Sequence, residues 1–252
     1  MKNKLIAGNW KMNNTVSQTK DLLTKVLPLI KDTLNTVVVC VPFTDIYAAK
    51  QVLKNTNIFL GAQNVHWKSN GAYTGEISAS MLFEADVKYV IVGHSERRQY
   101  FGDTDETVNG RLKAALEAQI TPIMCIGESL GQREQGVTEA FLATQLEQGL
   151  KNITAEEAQK IVYAYEPIWA IGTGVTATEK QAQETIAFVR KQIASLYNDT
   201  VAQKVYILYG GSMNENNAKS LLTMPDIDGG LIGGASLTAE KFAAIVRALE
   251  KG

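Results

Sequence analysis

The segment Ile161-Val-Tyr-Ala-Tyr-Glu-Pro-Ile-Trp169 (IVYAYEPIW) places a carboxylate directly after a run of apolar and β-branched residues. The run, Ile161–Glu166, is nearly continuous rather than alternating, which is typical of a parallel strand buried on both faces by helices. The sequence therefore predicts a buried strand here. Similar runs predict more such strands, at Leu5–Trp10, Val37–Val41, Ile58–Gln63, Tyr89–Gly93, Pro122–Gly127, Val205–Gly210 and Gly229–Gly233.

Amphipathic segments with helical spacing lie between these runs. The clearest are Ser17–Lys31, Asp103–Gln119, Thr178–Tyr197 and Leu237–Leu249. A strand followed by a helix, repeated along 252 residues, indicates an α/β fold and favours a (β/α)₈ barrel. A doubly wound open sheet is the competing architecture. Because no Pro/Gly/Ser-rich linker or charge block divides the chain, we expect residues 1–252 to form a single domain.

Composition narrows the classes of partner and compartment. With 25 Lys+Arg against 26 Asp+Glu, nothing indicates a nucleic-acid or membrane partner. Cys40 and Cys125 lie inside apolar runs, which predicts buried thiols in a reducing compartment. No signal peptide and no membrane-spanning run is evident, so we expect a cytoplasmic protein. Neither His66 nor His94 has a partner at metal-ligand spacing, so we expect no metal site.

Polar side chains follow several of the predicted strands. In a (β/α)₈ barrel the active site lies at the carboxyl ends of the strands. Asn9 and Lys11 end the first strand, His94 and Glu96 the fourth, and Glu166 the sixth. The sequence therefore predicts that these residues meet at one end of the barrel.

Three of these residues suit acid–base chemistry. Burial should raise the pKa of Glu166 towards a value useful for proton abstraction, although a structural carboxylate paired with an Arg would read the same way. His94 could begin a helical turn whose backbone N–H groups keep its ring neutral; a satisfied core histidine is the alternative. Lys11 suits a phosphate or a developing oxyanion; an unremarkable surface lysine is the alternative.

A long connection and two glycine pairs predict a phosphate site. The segment 167–177 exceeds the usual length of a βα loop, which favours a lid over an ordinary glycine-rich connection. The pairs Gly210-Gly211 and Gly233-Gly234 follow the last two strands, where barrels often bind phosphate. The predicted lid residues are Pro167, Ile168, Trp169, Gly172, Thr173, Gly174, Val175, Thr176 and Ala177.

Five motifs resemble those of triosephosphate isomerases, in the family's order and over the whole chain. The resemblance implies a TIM barrel that interconverts dihydroxyacetone phosphate and D-glyceraldehyde 3-phosphate through an enediolate, with no cofactor. The competing interpretations are a phosphate-binding barrel lyase or aldolase, and a non-catalytic binding protein of the same fold. The motifs are AGNWKM (7–12), VGHSERR (92–98), AYEPIWAIGTG (164–174), YGGSMN (209–214) and LIGGAS (231–236).

The resemblance also implies a role for each matched residue. Glu166 is similar to the base that moves the proton, and His94 to the neutral electrophile. Asn9 and Lys11 match groups that hold the substrate and stabilise the enediolate, while Glu96 matches a carboxylate that keeps the site ordered. The implied backbone donors to the phosphate are Gly172, Ser212, Gly233 and Gly234.

The segment Gly61–Glu76 resembles the family's interdigitating loop. It implies a homodimer in which Thr74 reaches towards the partner's Asn9 and Lys11; a long surface loop is the alternative.

Two positions depart from the family pattern. Val175 stands where a Lys is common, and Gly230 stands where a bulkier residue is common.

Overall fold

Eight parallel strands form a closed barrel in a computed structural model that describes residues 2–171 and 176–250. Each strand pairs with the next, and the last closes onto the first through Leu5 and Gly229. This closure confirms the predicted (β/α)₈ barrel and excludes the open sheet. The strands are β1 (Leu5–Asn9), β2 (Thr36–Val41), β3 (Ile58–Ala62), β4 (Tyr89–Val92), β5 (Thr121–Ile126), β6 (Val162–Tyr165), β7 (Tyr206–Tyr209) and β8 (Gly229–Ile232).

Helices surround the barrel, and the predicted ones begin and end within three residues of their expected ends. The helix predicted from Asp103 begins at Asp105, because the Thr104 side chain caps it by accepting the Thr107 N–H. In the described ranges no helix is long and apolar enough to span a membrane. The helices are α1 (Val16–Ile30), α2 (Ile46–Leu53), α3 (Ala79–Glu84), α4 (Ser95–Phe101), α5 (Asp105–Glu117), α6 (Leu130–Glu134), α7 (Thr138–Gly149), α8 (Ala155–Ala158), α9 (Glu179–Leu196), α10 (Asp199–Lys204), α11 (Ala218–Leu222) and α12 (Ala239–Val246), with 3₁₀ turns at Phe43–Asp45, Ile168–Ala170 and Gly234–Leu237.

The strands are buried on both faces, as their near-continuous apolar runs predict. In β1, Leu5 and Ala7 point into the barrel, whereas Ile6 packs towards the helices. Both cysteines are free, fully buried residues of the barrel interior, which confirms the predicted burial. Burial raises the pKa of the Cys40 thiol to about 12 and raises that of Cys125 well above its usual value. Both side chains are therefore neutral thiols.

Two glycines show how closely the barrel is packed. A Cβ on Gly61 would lie 2.5 Å from Cys40 Sγ, so a side chain there would displace the cysteine. A Cβ on Gly230 would lie 2.8 Å from both Ile232 Cδ1 and Met213 Sδ. The departure at Gly230 therefore leaves no void, because these two neighbours occupy the space.

Candidate active site

A pocket of about 400 Å³ opens at the carboxyl ends of the strands. It brings together most of the side chains and loops that the sequence predicts for the site. The segment Gly172-Thr173-Gly174-Val175 lies outside the described residues. Within the described part of the chain, no group of three or more His, Cys, Asp or Glu is placed to hold a metal ion. The predicted residues that line the pocket are Asn9, Lys11, His94, Glu166, Ser212, Gly233 and Gly234.

Lys11 is held in an uncommon backbone conformation. Its φ of +52° is in the left-handed region, which costs a non-glycine residue on the order of 1 kcal/mol or more. The Lys11 N–H donates to Asn9 Oδ1 at 3.1 Å, and Gln63 Nε2 donates to the Lys11 carbonyl at 2.9 Å. The ammonium Nζ lies 2.6 Å from Glu96 Oε1. Backbone and side-chain contacts therefore both fix the direction of this cation.

Gln63 is a site residue that the motifs do not single out. Its amide donates to the carbonyls of both Lys11 and Cys40, so it joins the end of β3 to β2 and to the segment after β1. The available signal is that a polar side chain ends the third apolar run, just as Asn9 ends the first.

His94 caps the N-terminus of α4, as the sequence predicts. Its Nδ1 accepts the backbone N–H of Glu96 at 3.2 Å. An imidazole that accepts at Nδ1 carries its proton on Nε2 when it is neutral. That Nε2 lies 2.8 Å from Glu166 Oε1, so the ring presents an N–H donor to the pocket.

Glu166 is an almost completely buried carboxylate, 2% exposed. Its Oε2 accepts the backbone N–H of Ser95 at 2.9 Å, while Oε1 faces His94. Gly210 makes room for it, since a Cβ there would lie 2.9 Å from Glu166 Cγ. The absence of a side chain at Gly210 therefore leaves space for the carboxylate, in addition to the place of Gly210 in the predicted phosphate loop.

The prediction that burial raises the pKa of Glu166 is wrong in its net direction. Burial does raise it, and this is the largest single contribution. The combined effects of His94, the Ser95 N–H and Lys11 are larger still and lower the pKa below its usual value. Glu166 is therefore ionised in this arrangement, as a base must be.

His94 responds to the same contact in the opposite direction. Burial is the largest single influence and lowers the pKa of the ring, but the carboxylates of Glu166 and Glu96 together raise it by more, so the net pKa is raised. The Nδ1 contact opposes protonation, because a doubly protonated ring cannot accept the Glu96 N–H. The raised pKa therefore depends on Glu166 remaining against Nε2.

Glu128 is a second buried carboxylate, and it follows β5. Its Oε1 accepts the Tyr165 hydroxyl at 3.0 Å and the Trp169 Nε1–H at 2.9 Å, and it pairs with Arg133 at 3.1 Å. The Glu128 carbonyl also accepts the Ile168 N–H. It thus anchors the first part of the predicted lid, whose 3₁₀ turn spans Ile168–Ala170. The sequence signal is a carboxylate after an apolar run, as at Glu166.

The predicted phosphate loops also contact the predicted lid. Ser212 Oγ donates to the Ala170 carbonyl at 2.6 Å, which ties the loop after β7 to the lid. Gly233 precedes the 3₁₀ turn Gly234–Leu237 and lines the pocket. At the far end of the lid, Thr176 is exposed and Ala177 is buried.

Thr74 lies away from the pocket of its own chain. It belongs to the exposed segment 67–76, in which Gly71 and Gly75 have positive φ. A second cavity of about 290 Å³ adjoins the active site and is lined by Lys11, Glu96 and Phe101, among others. Met12 also lines this cavity and is 96% exposed, which leaves a large apolar side chain uncovered in the single chain.

Comparison with known proteins gives concordant results. The family model described as triosephosphate isomerase matches residues 4–249. A triosephosphate isomerase of Clostridium botulinum is 51% identical over 246 residues, covering 98% of this chain and 99% of that protein. One of Moorella thermoacetica is 50% identical, covering 98% of each. The crystal structure of triosephosphate isomerase from Bartonella henselae superposes with a TM-score of 0.90 at 39% identity, covering 99% of this chain and 100% of that one.

Proposed function

This chain belongs to the triosephosphate isomerase family, and we propose that it interconverts dihydroxyacetone phosphate and D-glyceraldehyde 3-phosphate with Glu166 as the base. The observation that carries the proposal is the 2.8 Å contact between Glu166 Oε1 and His94 Nε2 within one pocket. A proton acceptor and a proton donor thus stand side by side where a small substrate can enter.

The proton transfer needs the Glu166 carboxylate to leave His94. When a triose phosphate enters the pocket, its carbonyl oxygen competes with Glu166 for the His94 Nε2–H. Glu166 then faces the substrate carbons. The carboxylate takes a proton from C1 of the ketone and returns it to C2, while the hydroxyl proton on the C1 oxygen passes to the C2 oxygen, which gives the aldehyde. Its lowered pKa keeps it ionised before the substrate binds.

His94 and Lys11 stabilise the charge that develops during this transfer. As the proton leaves C1, negative charge grows on the C2 oxygen, where His94 Nε2–H and Lys11 Nζ can donate. Once the substrate separates Glu166 from Nε2, the main influence that raises the His94 pKa weakens. Burial and the Nδ1 contact remain, so the ring acts as a neutral donor.

The phosphate group and the lid protect the enediolate. We assign the phosphate to the backbone of Ser212, Gly233 and Gly234, with Gly172 as the family-based donor from the lid. Glu128 and Ser212 hold the described start of the lid through Trp169 Nε1 and the Ala170 carbonyl. A lid that closes over the phosphate excludes water from the intermediate.

A Schiff-base aldolase is less consistent with the barrel. Such an enzyme needs a desolvated Lys within a strand. None of the eight strands contains a lysine, and Lys11 lies beyond the end of β1. A non-catalytic binding protein would not need Glu166 and His94 in mutual contact.

We also propose that the chain forms a homodimer and lies in the cytoplasm. The exposed segment 67–76 and the uncovered Met12 support a homodimer in which the partner's Thr74 enters the cavity beside Lys11 and Glu96. We propose a single barrel domain over residues 1–252, because the described residues form one closed barrel. The two free, buried thiols suit the cytoplasm.

The proposed function is tested by a coupled assay on D-glyceraldehyde 3-phosphate. We expect Glu166→Ala and His94→Gln each to lower kcat by roughly 100-fold or more, since each removes an acid–base group. Thermal unfolding of both variants serves as the control for folding. Turnover in folded Glu166→Ala at the wild-type rate would rule out the proposed base.

A further inference from the structure

The active-site pocket extends beyond the residues that the motifs supply. Its lining also includes Glu215, in the loop after β7, and Lys241, in the first turn of α12. Thr238, directly before α12, lines the same region. The 3₁₀ turn that begins at Gly234 ends at Leu237, so Lys241 follows the predicted phosphate loop by about one helical turn.

Each of the two lysines that line the pocket in the described part of the chain has a carboxylate partner. Lys11 Nζ lies 2.6 Å from Glu96, whereas Lys241 Nζ lies 3.3 Å from Glu215 Oε1. The Lys241 side chain is 53% exposed and that of Glu215 is 30% exposed. An exposed ion pair of this kind stabilises a protein only slightly, so an incoming anion can replace the carboxylate at low cost.

The position of Lys241 is unfavourable for the helix that carries it. The N-terminus of a helix carries partial positive charge, which favours acidic rather than basic side chains in the first turn. Glu240 is the favourable residue there, and Lys241 adds an ammonium beside it. Glu215 offsets that charge in the free protein, and a phosphate dianion in the pocket can offset it further.

We propose that Lys241 is a phosphate-recognition residue of this site, with Glu215 as its built-in competitor. The proposal rests on the proposed function, since it concerns the same substrate. The ammonium attracts the phosphate dianion towards the Gly233-Gly234 loop. As the substrate binds, a phosphate oxygen replaces Glu215 as the partner of the ammonium. The carboxylate of Glu215 repels the dianion and holds the lysine when the pocket is free. The two side chains therefore act on substrate affinity with opposite signs.

The test compares Lys241→Gln and Glu215→Gln with wild type at low and high salt. It measures kcat and KM for D-glyceraldehyde 3-phosphate, and the inhibition constant of inorganic phosphate. At low salt we expect Lys241→Gln to raise both KM and the inhibition constant roughly two- to fivefold, with a smaller change in kcat. Glu215→Gln should lower both constants. High salt should narrow the differences, because it screens exposed charges.

The matched control is Lys219→Gln, which removes the same charge from α11. Lys219 is exposed and is not among the described residues that line the pocket, so its constants should match wild type. The proposal is overturned if Lys241→Gln equals wild type or Lys219→Gln at low salt. Equal effects at both salt concentrations, or shifts of the same sign in Lys241→Gln and Glu215→Gln, also overturn it. These outcomes differ from failure of the proposed base, which substitutions of Glu166 report.

Discussion

The ends of β5 and β6 each carry a buried carboxylate, but the two groups do different work. Glu166 lines the pocket, and its partners are the His94 imidazole and the backbone N–H of Ser95. Glu128 is fully buried, and three side chains from other segments converge on its Oε1. It is not among the described residues that line the pocket.

The contrast shows that burial alone does not decide what a carboxylate does. Both groups follow an apolar strand and both are buried. A substrate oxygen can take over the His94 donor that Glu166 uses, so that contact is exchangeable. The donors of Glu128 come from Tyr165, Trp169 and Arg133, which join β6, the lid and α6. We therefore expect Glu128 to hold the barrel to the predicted lid, and Glu166 to be the carboxylate that reacts.

The largest expected difference between the two carboxylates is in turnover. Glu166→Gln keeps the shape of the side chain but removes the base, so we expect kcat to fall by roughly 10²- to 10⁴-fold. Glu128→Gln should lower kcat by about tenfold at most, because it leaves the base in place. Steady-state kinetics measures both. A loss of kcat in Glu128→Gln as large as that in Glu166→Gln would contradict the division of roles.

Alanine substitutions at two glycines beside these carboxylates should likewise separate an effect on stability from an effect on turnover. A Cβ on Gly127 would lie 1.8 Å from the Glu166 backbone oxygen, a clash that only a backbone shift can relieve. We expect Gly127→Ala to cost about 3 kcal/mol or more of unfolding free energy. At Gly210 the Cβ would meet the Glu166 side chain at 2.9 Å. Gly210→Ala should cost about 1 kcal/mol but lower kcat roughly 10- to 100-fold by displacing the base.

Denaturant unfolding and the coupled assay distinguish these two variants. A greater loss of stability in Gly210→Ala than in Gly127→Ala would contradict the expected difference between the two glycines. Wild-type kcat in Gly210→Ala would also contradict it.

The sequence predicts much of this arrangement because strand burial leaves a local pattern. Each apolar run became a strand, and Glu166, His94 and Lys11 follow their strands into one pocket. The partners of Glu128 and the net direction of the Glu166 pKa were not predictable in this way. Both depend on contacts between segments distant along the chain, such as Ser95 with Glu166, which no local pattern records.

The titration of His94 should reveal how strongly Glu166 influences it. Because Glu166 raises the pKa of the ring, Glu166→Gln should lower it and leave burial as the main influence. NMR of the imidazole C–H signals measures this change, and His66, the only other histidine, is the internal reference. An unchanged or higher His94 pKa in Glu166→Gln would show that the carboxylate does not control the ring.

The same contact predicts the sign of a pH effect on stability. The folded-state pKa of His94 is raised. The contribution of His94 to the free energy of unfolding is therefore fully present below the unfolded-state pKa of about 6.5, and it is lost as pH rises through the folded-state pKa. The folded-state pKa of Glu166 is lowered, so its contribution is present above the unfolded-state value of about 4.3 and is lost as pH falls through the folded pKa. The stability difference between wild type and Glu166→Gln should therefore be largest between these limits.

The smallest expected effect separates two of the three donors that share Glu128 Oε1. Trp169→Phe removes the indole N–H of a lid residue, and Tyr165→Phe removes the hydroxyl of a strand residue. Each should cost about 1 kcal/mol of unfolding free energy, the usual net contribution of one hydrogen bond. Only Trp169→Phe loosens the lid, so it alone should change kcat and KM, by roughly two- to fivefold. Equal kinetic changes in both variants would mean that Glu128 acts on the barrel as a whole, and its assignment as the anchor of the lid would be wrong.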